Sequence, residues 1–563
     1  MEQNSGEKRN CAIYYIPEAY ESEQANIVGR QSAGAGFLEA LTRHGGVEAL
    51  LCLTTTEDFF QEFQRRIGRI GNAVPPCRWI KPGDLVGLSD AGCIFQPGPI
   101  IAESAWMRRY GDERAFSICG ITHSVATERV VRGIRDFITA PIQPWDALIC
   151  TSQAVRAATM RIVESWVDYL EARGFKVPPV PMRTAVIPLG VHLEQFERNA
   201  EREARGQALR QSLGLEEEDV AALYFGRLNF LSKAHPTPMF RACELAQRRL
   251  PAGRLHLLLA GQLSDPRTAA EFNAARRLFC PSVAVHWIDG ADAEKAHDAW
   301  YAADFFLSLA DNVQESFGLT PLEAMAASLP CIVSDWDGYR ETVADGDTGF
   351  CIPTLMAPPC SGIALADDHA RQAFDHFSYI GLIAQSTAVD IDRCAEAIER
   401  LANDRTLRRR MGEAGRRRAA THYDWRDVIA QYQALWRELA EIRATATALG
   451  PRDAGRQTVH PDYPDPFTLF SAHPSAALRD DSRLRLADLD ARFVVADLRQ
   501  GAMHLFARST LLADDEIARV IAALEREPRA VTEILALLKA SDRPKVLRTL
   551  LWLYKFGVVS LAS

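Results

Sequence analysis

Two glutamates, eight positions apart, have the type and spacing best suited to chemistry in this 563-residue sequence. Glu315 precedes a glycine-containing loop, and Glu323 follows the expected start of a helix near Pro321. Backbone N–H groups ahead of a helix N-terminus suit a diphosphate, and two carboxylates can reach different hydroxyls of an attached sugar. The residues expected to line this donor site are Ser316, Phe317, Gly318 and Leu319.

Glu323 also has a purely structural interpretation. Thr320 and Glu323 have the spacing of a capping box, in which the glutamate accepts a hydrogen bond from the amide at the start of the helix. Glu315 has no comparable structural explanation. The sequence therefore leaves two roles open for Glu323 and favours a functional role for Glu315.

A pair of cations follows a strand-like run in the sequence YFGRLNFLSKA, residues 224–234. Ligands of α/β sheets collect at the carboxyl ends of strands, which is where Arg227 and Lys233 are expected. Arginine can bind phosphate oxygens through two N–H groups, and lysine acts as a compact point charge. We expect the two cations to bind phosphate; the alternative is that both are solvated surface residues.

The segment ESFGLTPLEAMA, residues 315–326, resembles the family 4 retaining glycosyltransferases, which have the GT-B fold. The resemblance extends over about Ala12–Ala440. It implies that Glu315 contacts hydroxyls of the donor sugar and that Glu323 contacts the ribose. It also implies that Arg227 and Lys233 neutralise the leaving diphosphate, while that phosphate accepts the proton of the acceptor.

Two departures from the family pattern lie close to this motif. Ser328 stands where the family usually has glycine, and Asp337 replaces the first glycine of Gly-Gly-x-x-Glu, although Gly338 and Glu341 are kept. Asp335-Trp336-Asp337 looks like the D-x-D that holds a divalent ion in the other glycosyltransferase fold. Because it occupies the family's glycine turn, we predict no bound metal and no cofactor beyond the nucleotide sugar.

The first half of the chain contributes a histidine and two glycines to the predicted site. His123 ends a strand-like run, where a histidine is often only a packing residue; the resemblance implies that it bonds the donor sugar. Gly34 and Gly36 lie in a loop expected from Gly29, before a helix that begins near Phe37. The resemblance implies that this loop faces the donor phosphates and the acceptor.

The predicted activity is transfer of a hexose from a nucleotide diphosphate sugar, with retention, to a hydroxyl of a glycan, lipid-linked, protein or small-molecule acceptor. Two alternatives share the architecture: a non-catalytic GT-B scaffold or binding protein, and a GT-B-shaped sugar-nucleotide epimerase. Product analysis with the nucleotide sugar alone separates an epimerase from a transferase.

These residues must be positioned by alternating strands and helices, a rhythm that predicts an α/β fold with two Rossmann-like domains facing across a cleft. We place an acceptor domain at residues 11–196 and a nucleotide-sugar domain with a closing helix at 197–440. A linker is expected at 441–464. Residues 465–563 are expected to form a small, mainly helical accessory domain, faintly similar to a winged helix and suited to protein contacts.

Composition limits the partners. The formal net charge of -9 argues against nucleic acid, because proteins that bind the phosphate backbone are usually basic. Twelve scattered cysteines, no evident signal peptide and no long apolar stretch predict a cytoplasmic protein. The arginine-rich stretch 405–418 is interpreted as a solvated helix face, with contact to an anionic membrane surface on the inner face as the alternative.

Overall fold

The structure, a computed structural model, describes residues 10–20, 29–71, 74–251, 253–263, 265–447, 458–487, 491–538 and 542–562. The chain divides into two compact units, Met1–Arg452 and Asp453–Ser563, which are described separately.

The first half of the larger unit is built on a seven-stranded parallel sheet in the order β3-β2-β1-β4-β5-β6-β7. Its strands are β1 Ala12–Tyr14, β2 Leu50–Leu53, β3 Cys77–Ile80, β4 Cys93–Gln96, β5 Ser117–Ile121, β6 Ala147–Cys150 and β7 Arg183–Val186. The helices between them are α1 Pro17–Tyr20, α2 Gly29–His44, α3 Glu57–Ile70, α4 Leu85–Ala91, α5 Ala102–Arg108, α6 Glu128–Arg135 and α7 Gln153–Ala172. The inner strands are buried on both faces, as helix-covered parallel strands require.

The second half has a six-stranded parallel sheet in the order β10-β9-β8-β11-β12-β13. Its strands are β8 Val220–Phe225, β9 Leu255–Gly261, β10 Ala284–Asp289, β11 Phe305–Ser308, β12 Cys331–Ser334 and β13 Gly349–Ile352. Its helices are α8 Ala200–Ser212, α9 Pro236–Arg249, α10 Pro266–Phe279, α11 Ala293–Ala302, α12 Leu319–Ala326 and α13 Tyr339–Thr342. Two Rossmann-like sheets confirm the predicted fold class.

Each sheet reverses its strand order at one place, between β1 and β4 in the first and between β8 and β11 in the second. Ligands of open α/β sheets bind at such switch points, at the carboxyl ends of the strands. The loops that follow β8 and β11 contain Lys233 and Glu315, so the topology itself brings these residues to one edge.

The remaining elements of this unit follow β13. They are β14 Thr354–Met356, α14 Ile363–Ala370, α15 His376–Ala384, β15 Thr387–Val389, α16 Ile391–Asn403, α17 Arg405–His422 and α18 Trp425–Thr445. β14 and β15 form an antiparallel pair. α18 returns to the first domain, where the Gln433 amide donates to the Gly45 carbonyl at 2.7 Å and Tyr432 packs on Phe37. α18 also continues to Thr445, into the predicted linker, and 448–457 of that linker lie outside the described residues.

The prediction of a glycine loop from Gly29 is wrong, because helix α2 already begins at Gly29. A Cβ on Gly34 would lie 2.1 Å from the Ala19 carbonyl oxygen, and one on Gly36 would lie 3.0 Å from the indole nitrogen of Trp425. Both glycines therefore let neighbouring elements pack closely against α2. Their contact with a donor stays a prediction.

The sequence also missed edge strands of both sheets. β3 and β7 have partly exposed side chains, so their apolar pattern is weak, and β13 begins with a glycine. The inner strands, such as Val220–Phe225 and Cys331–Ser334, have the continuous apolar runs that predict buried strands.

The smaller unit has a three-stranded antiparallel sheet, β17-β16-β18, packed with helices. Its elements are α19 Pro466–Leu469, β16 Arg483–Leu486, α20 Ala491–Gln500, α21 Ala502–Leu505, α22 Asp514–Leu524, β17 Arg529–Ala530, α23 Val531–Leu537, α24 Arg543–Lys555 and β18 Val559–Leu561. The predicted helical character is confirmed. In the described parts of both units, no helix combines the length and the apolarity needed to cross a membrane.

Candidate active site

The loop after β8 is held in a defined turn that places Lys233. The Asn229 side-chain oxygen accepts hydrogen bonds from the amides of Leu231 and Ser232, each at 2.9 Å. The Asn229 carbonyl accepts from the Lys233 amide at 3.1 Å. Asparagine commonly organises turns in this way, because its short side chain reaches the backbone two residues ahead. The Lys233 side chain therefore extends from a loop whose backbone is held by hydrogen bonds.

Lys233 and Glu315 form an ion pair at the carboxyl edge of the second sheet. Their side chains are only 17% and 11% exposed. Burial opposes the charge on Lys233, yet the adjacent Glu315 carboxylate raises the pKa of the lysine above its usual value. The lysine is thus held as a cation, and the structure brings these two predicted site residues into contact.

Arg227 belongs to the same cluster through Tyr224, the penultimate residue of β8. The Tyr224 hydroxyl donates to the Arg227 carbonyl at 3.0 Å. Burial is the main cause of the raised pKa of Tyr224, and the charges of Lys233, Glu315 and Arg227 also act on it. Among the described residues the Arg227 guanidinium forms no ion pair, and its phosphate contact stays a prediction.

Helix α12 begins at Leu319 with Gly318 as its N-cap, so Thr320 lies inside the first turn. The capping box that would have explained Glu323 structurally is therefore not formed. No side chain caps this N-terminus. Burial raises the pKa of Glu323 to about 7, and the nearby Lys233 charge opposes that rise. Glu323 thus lies close enough to sense the ion pair, with a carboxyl group that can donate or accept hydrogen bonds near neutral pH.

Gly318 allows the site loop to turn against a buried aromatic ring. Its φ of +88° is a left-handed conformation, and an added Cβ would lie 1.9 Å from Cε1 of Tyr339. The Tyr339 hydroxyl is in turn 3.2 Å from the Ser308 hydroxyl, at the end of β11. The packing of Gly318 on the Tyr339 ring therefore fixes the loop between Glu315 and α12.

We expect Gly318→Ala to lower the free energy of unfolding by about 2–4 kcal/mol and to remove most of the predicted transferase activity, since both the backbone angle and the Tyr339 ring oppose a side chain. Urea unfolding and a turnover assay measure the two effects. Gly346→Ala is the matched control, because Gly346 has φ +75° and open space around it. Equal losses in the two variants would show that the Tyr339 contact is unimportant.

The first domain reaches the site through the loop after β6. The Thr151 hydroxyl donates to the Ser316 carbonyl at 3.3 Å, in the middle of the predicted donor loop. His123 follows the neighbouring strand β5, and the preceding residue, Thr122, donates from its amide to the Ile149 carbonyl of β6 at 2.8 Å. His123 also lines a small cavity with Gly34. It therefore lies at the sheet edge that contacts the second domain.

Asp311 is a buried carboxyl group that the sequence reasoning missed. It lies just after β11, is 2% exposed, and its two oxygens accept from the His235 amide at 3.3 Å each. Burial raises its pKa to about 7. The signal for Asp311 in the sequence was its position soon after the buried strand Phe305–Ser308.

The raised pKa of Asp311 predicts a pH effect on stability. Between about pH 4 and pH 7 the folded protein keeps this proton and the unfolded chain loses it, so this group's contribution falls as pH rises. Relative to Asp311→Asn, wild type should lose about 2–4 kcal/mol of unfolding free energy from pH 4 to pH 8. Urea denaturation across this range measures the difference, with the exposed Asp347→Asn as control. A constant difference between wild type and Asp311→Asn would contradict the assignment.

The D-x-D sequence does not form a pair of free carboxylates. Asp335 pairs with Arg340 at 3.1 Å, and Asp337 accepts from the Ser152 hydroxyl at 2.7 Å. Across the described residues, no group of three or more His, Cys, Asp or Glu side chains could hold a metal ion.

The arginine-rich helix α17 is only partly the solvated face that its sequence indicates. Arg416 donates to the Ala326 carbonyl, at the end of α12. Arg418 donates to the Thr342 carbonyl at 2.7 Å. Cations near helix C-termini stabilise the unpaired carbonyl groups there. These side chains support the two site helices, which no local pattern could have shown.

Residues 207–357 match the family described as "Glycosyl transferases group 1". The putative glycosyltransferase EpsD of Bacillus subtilis is 31% identical over 186 residues, 33% of this chain and 45% of that protein. D-inositol 3-phosphate glycosyltransferase 2 of Catenulispora acidiphila is 29% identical over 386 residues, 59% of this chain and 87% of that protein. The alignment thus spans less than half of the first relative and most of the second.

Solved structures with a similar chain course include HepE of Anabaena in complex with UDP and glucose. It has 13% sequence identity and a TM-score of 0.47, and the alignment covers 75% of this chain and 98% of that one. Sucrose-phosphate synthase from Thermosynechococcus elongatus has 19% identity and a TM-score of 0.47 over 76% of this chain and 98% of that one.

The family match spans both glutamates, Glu315 in the loop before α12 and Glu323 within α12. The two parallel sheets and their switch points give the larger unit the predicted pair of Rossmann-like domains. Residues 207–357 are thus similar to the glycosyl transferases group 1 family, within a unit built on two Rossmann-like sheets.

Proposed function

We propose that this chain is a retaining hexosyltransferase that moves a sugar from a nucleotide diphosphate sugar to a hydroxyl of an acceptor. The observation that carries the proposal is the partly buried ion pair of Lys233 and Glu315 beside the uncapped N-terminus of α12. It puts a fixed cation, a carboxylate and unpaired backbone N–H groups at one switch point, which is the combination that a sugar diphosphate requires.

The diphosphate is assigned to Lys233, Arg227 and the first N–H groups of α12. Negative charge develops on the leaving phosphate when its bond to the anomeric carbon breaks. A preorganised donor aimed at such charge contributes on the order of 3–4 kcal/mol to the transition state. Lys233 is held in place by Glu315, and Arg227 has no competing ion pair among the described residues.

The sugar and the ribose are assigned to the acidic residues and His123. Glu315 would accept hydrogen bonds from sugar hydroxyls while it holds Lys233. Glu323, whose pKa is raised to about 7 by burial, would contact the ribose hydroxyls. His123 would reach the sugar from the first domain. The leaving phosphate would accept the proton of the acceptor hydroxyl. The acceptor oxygen would bond to the anomeric carbon on the face that the phosphate leaves, so the configuration would be retained.

Acceptor and donor base are left to experiment. Several relatives are named D-inositol 3-phosphate glycosyltransferases, and HepE was solved with UDP, so UDP-sugars and polyhydroxylated acceptors come first in a screen. Glycan, lipid-linked and protein acceptors follow. A cytoplasmic location and contact with the inner membrane face stay predictions of the sequence.

A thermal-shift screen of UDP-, GDP- and ADP-sugars, followed by turnover with candidate acceptors, tests the proposal. We expect one donor class to raise the Tm, and NMR of the product to show the anomeric configuration of the donor. We also expect turnover to survive EDTA. An inverted product would contradict retention, an epimerised donor without acceptor would show an epimerase, and no turnover of any donor would favour a binding protein.

A further inference from the structure

The most unusual residue beside the donor loop is Asp337, which the family pattern would have as glycine. Its φ of +43° lies in the left-handed region, which a non-glycine residue enters at a cost. Glycine would adopt this angle freely, so the side chain must supply something that offsets the strain. What it supplies in the structure is a contact with the other domain.

That contact is a hydrogen bond between the domains. The Ser152 hydroxyl, at the end of β6, donates to the Asp337 carboxylate at 2.7 Å and accepts from the Val155 amide at 3.1 Å. Ser152 is fully buried and is the N-cap of α7. One hydroxyl thus links the first turn of a 20-residue helix in the first domain to the turn after β12 in the second.

A second carboxylate from the same turn binds the same helix. Glu341 accepts from the Gln153 amide, the first N–H of α7, at 2.7 Å. A carboxylate at a helix N-terminus is stabilised by the partial positive charge there. Thr151, one residue before Ser152, donates to the Ser316 carbonyl of the donor loop. Three successive residues of the first domain, Thr151, Ser152 and Gln153, therefore form hydrogen bonds with the second domain.

The surroundings of Asp337 favour this bonded arrangement. Burial is the largest cause that raises its pKa, to about 7, and the charges of Glu315 and Glu341 act in the same direction. The Ser152 hydroxyl and the Gly338 amide oppose the rise. A buried carboxyl group that faces two other carboxylates needs a donor, and Ser152 is the side chain that provides it.

We propose that Ser152 and Asp337, with Glu341 on the Gln153 amide, form an interdomain latch that positions the donor loop for transfer. The positioning role of the latch rests on the proposed function, whereas the hydrogen bonds between the two domains do not depend on it. Ser152 and Asp337 are positioning residues: they hold the adjacent Thr151 on the Ser316 carbonyl, next to Glu315, and they exclude water by keeping the domains together.

In the test, backbone amide exchange is measured for each variant in the domain that does not carry the substitution. Hydrogen–deuterium exchange is followed at residues 150–156 in Asp337→Gly and at residues 314–320 in Ser152→Ala. The glycine variant relieves the strain at φ +43°, so faster exchange across the interface does not report a strained turn. Asp335→Asn is the matched control, since Asp335 is in the same turn but pairs with Arg340.

We expect exchange to be at least threefold faster in the opposite segment for both variants and unchanged in the control. Once a donor is identified, kcat for transfer should fall about tenfold in both variants. The ratio of donor hydrolysis to sugar transfer should rise. The Kd for UDP by calorimetry should stay within threefold of wild type, because the proposed phosphate ligands Lys233 and Arg227 lie in the second domain. Unchanged exchange across the interface in both variants overturns the latch. If UDP and all donors fail to bind, the exchange result still decides the latch by itself.

Discussion

Replacing Glu315 with glutamine should lower kcat by about 10²–10³ while the Kd for the nucleoside diphosphate changes little. The amide keeps the size and one acceptor oxygen of the side chain but removes the charge that pairs with Lys233. A group that stabilises a transition state typically costs this much when it is lost. The measurement is steady-state transfer with saturating donor, together with calorimetric binding of UDP, GDP or ADP, whichever the screen selects.

Stability has to be separated from chemistry in this variant. Glu315→Gln leaves a partly buried lysine without its counter-ion, which should cost about 1–3 kcal/mol of unfolding free energy. Turnover is therefore measured well below the Tm of the variant. A second variant, Glu315→Gln with Lys233→Met, removes the unpaired cation and should recover stability without recovering transfer. Wild-type kcat in Glu315→Gln would remove Glu315 from the active site.

The site motif could be predicted because it is local. Glu315, Gly318 and Glu323 lie within nine consecutive residues, so one strand end, one loop and one helix start hold them all. The ion pair with Lys233 joins residues 82 positions apart, and only the parallel order of β8 and β11 brings it to one edge. Alternating apolar runs predicted strands and helices of an α/β fold, but not which strands are neighbours.

The parts that failed depend on contacts between distant elements. Gly34 and Gly36 have a composition typical of a ligand loop, yet the neighbours that require glycine are a carbonyl and an indole in other elements. Tyr339 supports Gly318 from a helix beyond the next strand. A run of arginines looks solvated until the helix ends that it contacts are known, as with Arg416. No periodicity in the sequence encodes such pairings.

Arg227→Ala should weaken binding of the nucleoside diphosphate by about 10–100-fold and leave the fold intact. A charge-assisted hydrogen bond to phosphate is worth about 1.5–3 kcal/mol, which corresponds to that range. The guanidinium makes no ion pair with another described residue, so its removal leaves no buried group unpaired. Calorimetry with UDP measures the affinity. Arg241→Ala on α9 is the control, because Arg241 is an exposed arginine in the same domain.

Lys233→Ala should behave differently, and the difference is diagnostic. It removes a phosphate ligand and also leaves Glu315 partly buried without its cation, so both affinity and unfolding free energy should fall. The Arg227→Ala/Lys233→Ala double variant should lose nearly all measurable binding, and its residual affinity should depend less on salt than that of wild type, because fewer charges contact the phosphates. Unchanged UDP affinity in the double variant, at any salt concentration, would show that the diphosphate binds elsewhere. In that case the Lys233–Glu315 pair would serve only to hold the loop after β8 against the loop after β11.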